Sequence, residues 1–181
     1  FLTGDGTRDL FTSTAVVALL AIGIAPIVIM RHIDLSISST VGLTAWVVAD
    51  MCAKNPDFTW LQCFIIGPVI GIAVGILNGL LVAGLRLPSL VVTLGTLYIV
   101  RGVVYVVSNS VDYNAQEMPP SLLDLGQKVF FGLMPLTFLL VIIAMLIMGF
   151  FMKYTKSGRD AYAIGSNPPA AAVSYTHLRA H

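Results

Sequence analysis

Few side chains in this sequence can do chemistry, and none of them forms a catalytic pair. His32 and Asp34 lie two residues apart, so on a helix they point to different faces. Acid–base or nucleophilic catalysis needs paired groups converging on one point, and the apolar runs hold no such pair. No Gly-x-x-x-x-Gly-Lys-Ser/Thr phosphate loop occurs, so any ATP hydrolysis belongs to another chain. No cluster of Cys, His and carboxylate has metal-ligand spacing. Cys52 and Cys63 sit near one end of two adjacent apolar runs. They pair if that face meets an oxidising compartment and otherwise stay two buried thiols, the commoner state.

What remains is a sparse set of polar groups at membrane depth. Asp34, Ser36 and Ser38 break the apolar pattern between two runs, and either Asp34 or Ser36 is placed to cap the helix that follows. The segment reads equally as a short interhelical loop or as a broken helix lining a polar path. Asn78 is the strong polar group of its run, and structural glue between helices is a better reading of it than a solute contact. Thr93 and Arg101 share a later run. An arginine there must face protein or water, or snorkel to the interface. Asp34, Ser36, Ser38, Asn78, Thr93 and Arg101 are therefore the candidate residues of a polar path.

The elements that must position these groups are membrane helices. The chain has 181 residues, 57% hydrophobic and only 10% charged, against about 25% charge in a soluble domain. Mean hydropathy is +0.90. A net charge of +1 gives no reason to expect nucleic acid. The fold class expected is all-α and polytopic, with about five membrane-spanning or re-entrant helices at 11–30, 35–52, 60–84, 88–107 and 129–152. Trp60 to Leu85 organises the rest: 26 residues without a charge, more than the ~20 needed to cross a bilayer. Gly67, Gly71, Gly75 and Gly79 recur every fourth residue along one helix ridge, a packing face for another membrane helix. Pro26 is expected to kink the first run. Residues 108–128 read as the longest loop, with no continuous helix through Pro119-Pro120.

One set of ends carries Arg31, Arg86, Lys153, Lys156 and Arg159, and the other carries Arg8, Lys54 and Lys128. The excess of basic residues places the first set in the cytoplasm. The chain begins at Phe1 with no charged leader or cleavage site, as expected of a piece of a longer protein.

Three segments carry a family resemblance. Ile33-Asp34-Leu35-Ser36, followed by small and hydroxyl residues, resembles a signature of permease subunits of ribose- and galactose-type sugar ABC importers. Leu87 to Thr96, LPSLVVTLGT, followed by Arg101-Gly102, is similar to a second signature. Gly158 to Asn167, GRDAYAIGSN, followed by Ala170-Ala171, is similar to a third. They stand in the family's order, and the likeness covers nearly all of residues 1–172. The resemblance implies a multi-pass subunit of the bacterial inner membrane that transports a monosaccharide or related small polar solute and binds no cofactor itself. It implies two permease copies, a cytoplasmic ABC ATPase that uses the ATP, and a periplasmic sugar-binding protein. It also implies that Gly158, Arg159, Tyr162, Ala163, Ile164, Gly165 and Asn167 belong to the segment that couples to the ATPase. The alternative, a secondary carrier or channel, needs no ATPase. Residues 173–181 depart from the family pattern, with Tyr175 where a glycine is expected, and resemble translated sequencing-adapter read-through. His177 and His181 are expected to have no function.

Overall fold

A computed structural model describes residues 4–55, 57–109, 111–114, 117–130 and 134–167. The proposed foreign segment 173–181 lies outside these residues. The described chain forms α1 (Gly4–Ile29), α2 (Ile37–Lys54), α3 (Trp60–Gly79), α4 (Ser89–Ser108), α5 (Pro120–Gln127), a two-residue strand pair β1 (Val129–Phe130) and β2 (Met134–Pro135), α6 (Leu136–Tyr154) and α7 (Lys156–Ser166). α3 runs on into a π-helical turn over Leu80–Gly84. The chain divides into two compact units, one holding α1, the strand pair, α6 and α7, the other α2, α3, α4 and the start of α5.

The helices follow the apolar runs, and backbone chemistry sets their limits. Among the described residues, four helices are long and apolar enough to cross a membrane: α1, α3 with its π turn, α4 and α6. α2 has 18 residues, Asp50 and Lys54 among them, and is less apolar than the other four. α1 begins earlier than expected, at Gly4, and continues through Pro26. The run expected at 129–152 instead starts its helix at Leu136. Pro135 has φ fixed by its ring and no N–H, so it suits the position before a helix. The residues ahead of it pair as antiparallel strands, Val129 with Pro135 and Phe130 with Met134. The loop at 108–128 contains α5, which starts on Pro120, the first-turn position where proline is tolerated.

Three helices end on a non-glycine residue in the left-handed region: Arg31 (φ 63°) after α1, Arg86 (φ 57°) after the π turn and Asn109 (φ 47°) after α4. Glycine is the usual occupant of such ends. Inside the first unit the core includes Ala15, Val141, Met152 and Ala161; inside the second, Cys52, Val92 and Val100. Outward faces are broadly apolar, as at Ile72 and Ile76 on α3, 60% and 57% exposed. That is the surface a helix offers to lipid or to neighbouring helices.

Candidate functional site

The second unit holds a directed chain of side-chain hydrogen bonds. The Thr96 hydroxyl donates to Asn78 Oδ1 at 2.6 Å. Asn78 Nδ2 donates to Ser36 Oγ at 2.9 Å. Ser36 Oγ donates to Asp34 Oδ1 at 2.6 Å, and the Ser36 backbone N–H reaches the same oxygen at 2.8 Å. Ser36, Asn78 and Thr96 are all buried. Every donor points towards the carboxylate, so the chain ends on charge-assisted bonds. It ties the start of α2 to α3 and α4. Asp34 closes a turn on Ser36, and neither side chain caps a free amide of α2, contrary to the capping expected of them. Ser36 contributes its carbonyl instead, accepting from Ser39 Oγ at 2.8 Å and Thr40 Oγ1 at 2.9 Å.

A cleft of about 310 Å³ lies between α2 and α4, lined by Ser38, Ser39, Gly42, Leu97, Arg101 and Val104. Arg101 sits twelve residues into a 20-residue helix, roughly 18 Å along its axis. No ion pair with a carboxylate is found for Arg101 among the described residues. A guanidinium offers five N–H donors, while Ser38 Oγ and Ser39 Oγ donate to the carbonyls of Leu35 and Ser36 at 3.4 and 2.8 Å and so present lone pairs to the cleft. This is a lining suited to hydroxyl or anionic oxygens. Its size matches the lower end of small-molecule sites.

The six expected path residues thus separate. Ser38 and Arg101 meet at the cleft, Ser36 and Asn78 are locked in the buried chain, and Asp34 terminates it. Thr93 is buried, with its hydroxyl donating to the Ser89 carbonyl of its own helix at 2.9 Å. Sequence reasoning passed over Thr96 and Ser39. A hydroxyl eighteen residues from Asn78 carries no local signal, since only the packing of α3 on α4 brings them together.

Of the glycine ridge, Gly67 lies against α2, where an added Cβ would meet Thr44 Cγ2 at 3.6 Å. Gly71, Gly75 and Gly79 face open space within this chain. At the far end of α2, Tyr113 donates to Asp50 Oδ1 at 2.5 Å. The hydrogen bond to the Asp50 carboxylate raises the Tyr113 phenol above its ordinary range. Cys52 and Cys63 are free thiols, with sulfur atoms 3.8 Å apart.

The coupling segment expected at 158–167 is α7 with its C-terminal cap, Asn167. Thr155 Oγ1 accepts from the Gly158 N–H at 3.1 Å and donates to Phe151 O at 2.7 Å, turning the chain sharply out of α6. Gly158 and Gly165 face inwards on backbone; Arg159, Tyr162 and Asn167 are exposed, and Ala163 and Ile164 are half-buried. The helix therefore presents one polar, aromatic face outwards while its small residues hold the opposite face down.

These features define a polytopic helical membrane protein with a polar cleft between helices and a short amphipathic helix at one end, the build of a transport subunit. The family described as branched-chain amino acid transport system / permease component matches residues 6–174, and the chain belongs to it. It is 38% identical over 162 residues to the autoinducer 2 import system permease protein LsrC of Enterobacter sp. (strain 638), covering 90% of this chain and 46% of that protein. LsrC of Klebsiella pneumoniae gives the same identity and coverage. LsrC of Salmonella paratyphi B is 32% identical over 167 residues, 92% of this chain and 47% of that protein. The chain spans about half the length of these relatives. No solved structure matches it.

Proposed function

We propose that this chain is part of a permease subunit of an ATP-driven importer of the bacterial inner membrane, carrying a monosaccharide or a sugar-like signal molecule. The reading extends to this chain what the names of its relatives say of them, import of autoinducer 2. On this reading the subunit forms the path with a second permease copy and takes solute from a periplasmic binding protein. It binds no cofactor and performs no hydrolysis; ATP is consumed by a cytoplasmic ABC ATPase that docks on α7. The observation that carries it is the cleft of Ser38, Ser39 and Arg101 between two membrane helices of a permease-family chain.

The test is uptake of labelled solute by the whole permease with its partners. Arg101→Ala is expected to lower uptake about tenfold or more, the effect of losing roughly 1.4 kcal/mol of solute contact, while membrane insertion stays normal. Wild-type uptake by that variant would remove Arg101 from the path. Co-purification of an ATP-binding subunit separates an ATP-driven importer from a secondary carrier or channel.

A further inference from the structure

α7 is fastened at both ends, and the far fastening involves two residues that local preference alone would not select. α1 finishes with a tight turn in which His32 N–H bonds to Ile27 O and Arg31 N–H to Val28 O, each at 3.0 Å. This is the left-handed helix end at which glycine is usual, yet Arg31 occupies it. Its Nη2 donates to the Ser166 carbonyl at 3.3 Å, at the last residue of α7. A cation there also suits the negative end of the helix dipole.

Beside this bond, Gly165 rests on the backbone of α1. A Cβ on Gly165 would overlap the Ile29 carbonyl oxygen and come within 3.0 Å of the Ile29 carbonyl carbon. The obstacle is main chain, which cannot swing aside as a side chain can. The Cα hydrogen that stands in for Cβ is directed at that oxygen, a weak but close contact. At the near end, an added Cβ on Gly158 would lie 2.5 Å from Met152 Cα on α6. Arg159 Nη1 donates back to Tyr154 O at 3.1 Å. Beside these fastenings lies an open pocket of about 440 Å³ whose lining includes Ile22 and Ala25 of α1, Met145 and Met148 of α6 and Tyr162 of α7. Methionine repacks easily as a gap changes shape.

We propose that Arg31 and Gly165 are positioning residues that make the end of α1 move with α7, so that a load on α7 reaches two membrane helices rather than α6 alone. The inference rests on the reading of α7 as the segment that an ATPase engages.

Two substitutions separate this role from local stability, because each improves the local backbone. Gly165→Ala raises helix propensity, and Arg31→Gly suits the left-handed turn. They are made in the whole permease reconstituted with its ATPase and binding protein. A second readout is disulfide cross-linking of Met30→Cys with Ser166→Cys, in a background carrying Cys52→Ala and Cys63→Ala. Expected results are normal insertion for both variants, with retained ATPase co-purification and unchanged basal hydrolysis for Arg31→Gly, which lies outside α7. Stimulation by the loaded binding protein should fall about tenfold, within the usual range of coupling between sites, and cross-linking should be lost. Arg31→Lys should recover part of both. Full stimulation with undiminished cross-linking in both variants would overturn the proposal. If no ATPase co-purifies with the wild type, the importer reading fails, and the cross-link alone then decides whether α1 and α7 are joined.

Discussion

Asn78 shows how one side chain decides between a structural and a solute-facing role. Its oxygen and its nitrogen are both engaged, by Thr96 and Ser36, which leaves little capacity for a passing solute. Interhelical bonds of this kind are worth roughly 0.5–2 kcal/mol in membranes. Asn78→Leu removes two of them and strands the Thr96 hydroxyl. It is expected to lower the thermal midpoint of the detergent-solubilised protein, and Thr96→Val to produce a smaller loss, because one donor and one bond disappear. A double variant no worse than Asn78→Leu alone would show that the two act as one unit. An unchanged midpoint for Asn78→Leu would refute the glue role. Arg101 differs: it lines a cleft with two hydroxyls and no facing carboxylate among the described residues, so its removal should act on uptake rather than on stability.

Among the elements, α3 carries the sharpest contrast between neighbours of the same type. A Cβ added to Gly67 would meet Thr44, whereas one added to Gly71, Gly75 or Gly79 would meet nothing within 4 Å. Gly67→Leu should therefore disturb the pairing of α2 with α3 and destabilise the protein by itself. For Gly71→Leu and Gly75→Leu the expected effect is confined to assembly: lower yield of the complete complex in size-exclusion chromatography, with insertion unaffected. Normal complex yield and uptake would show that these glycines meet lipid and nothing else. α7 is the other element whose use follows from its faces. Gly158 and Gly165 demand close backbone approach, which leaves Arg159 and Tyr162 as the surface open to a soluble partner.

For the molecule as a whole, the crossings can be counted by parity. Gly165 holds the end of α7, just after α6, against the end of α1, so α1 and α6 finish on one side of the membrane. The number of crossings between them must then be even. α3, α4 and α6 supply three, and α5, with eight residues, is too short. α2 must supply the fourth, although it is the least apolar of the long helices. At 18 residues it spans about 27 Å, close to the ~30 Å hydrocarbon thickness. Single cysteines at Lys54 and Lys156, in a background without Cys52 and Cys63, should accordingly label from opposite sides with a membrane-impermeant maleimide. The basic excess predicts the periplasmic side for Lys54 and the cytoplasmic side for Lys156. Labelling of both from one side would refute the five-crossing arrangement.

The sequence by itself determined that this is a helical membrane protein, roughly where its long helices lie, and which three segments mark it as a permease. Those are local properties: hydropathy over about 20 residues, proline and glycine punctuation, and short ordered motifs. It did not show that Pro135 would end a strand pair and start α6, because the apolar pattern is continuous across it. Only the tertiary structure decided which polar residues are spent on one another and which remain facing a cleft. Ser36, Asn78 and Thr96 are up to sixty residues apart in the chain, as are Ser38 and Arg101 or Arg31 and Ser166 at still greater separations. A hydrogen bond is made over 3 Å in space, and distance along the chain says nothing about it until the helices have packed.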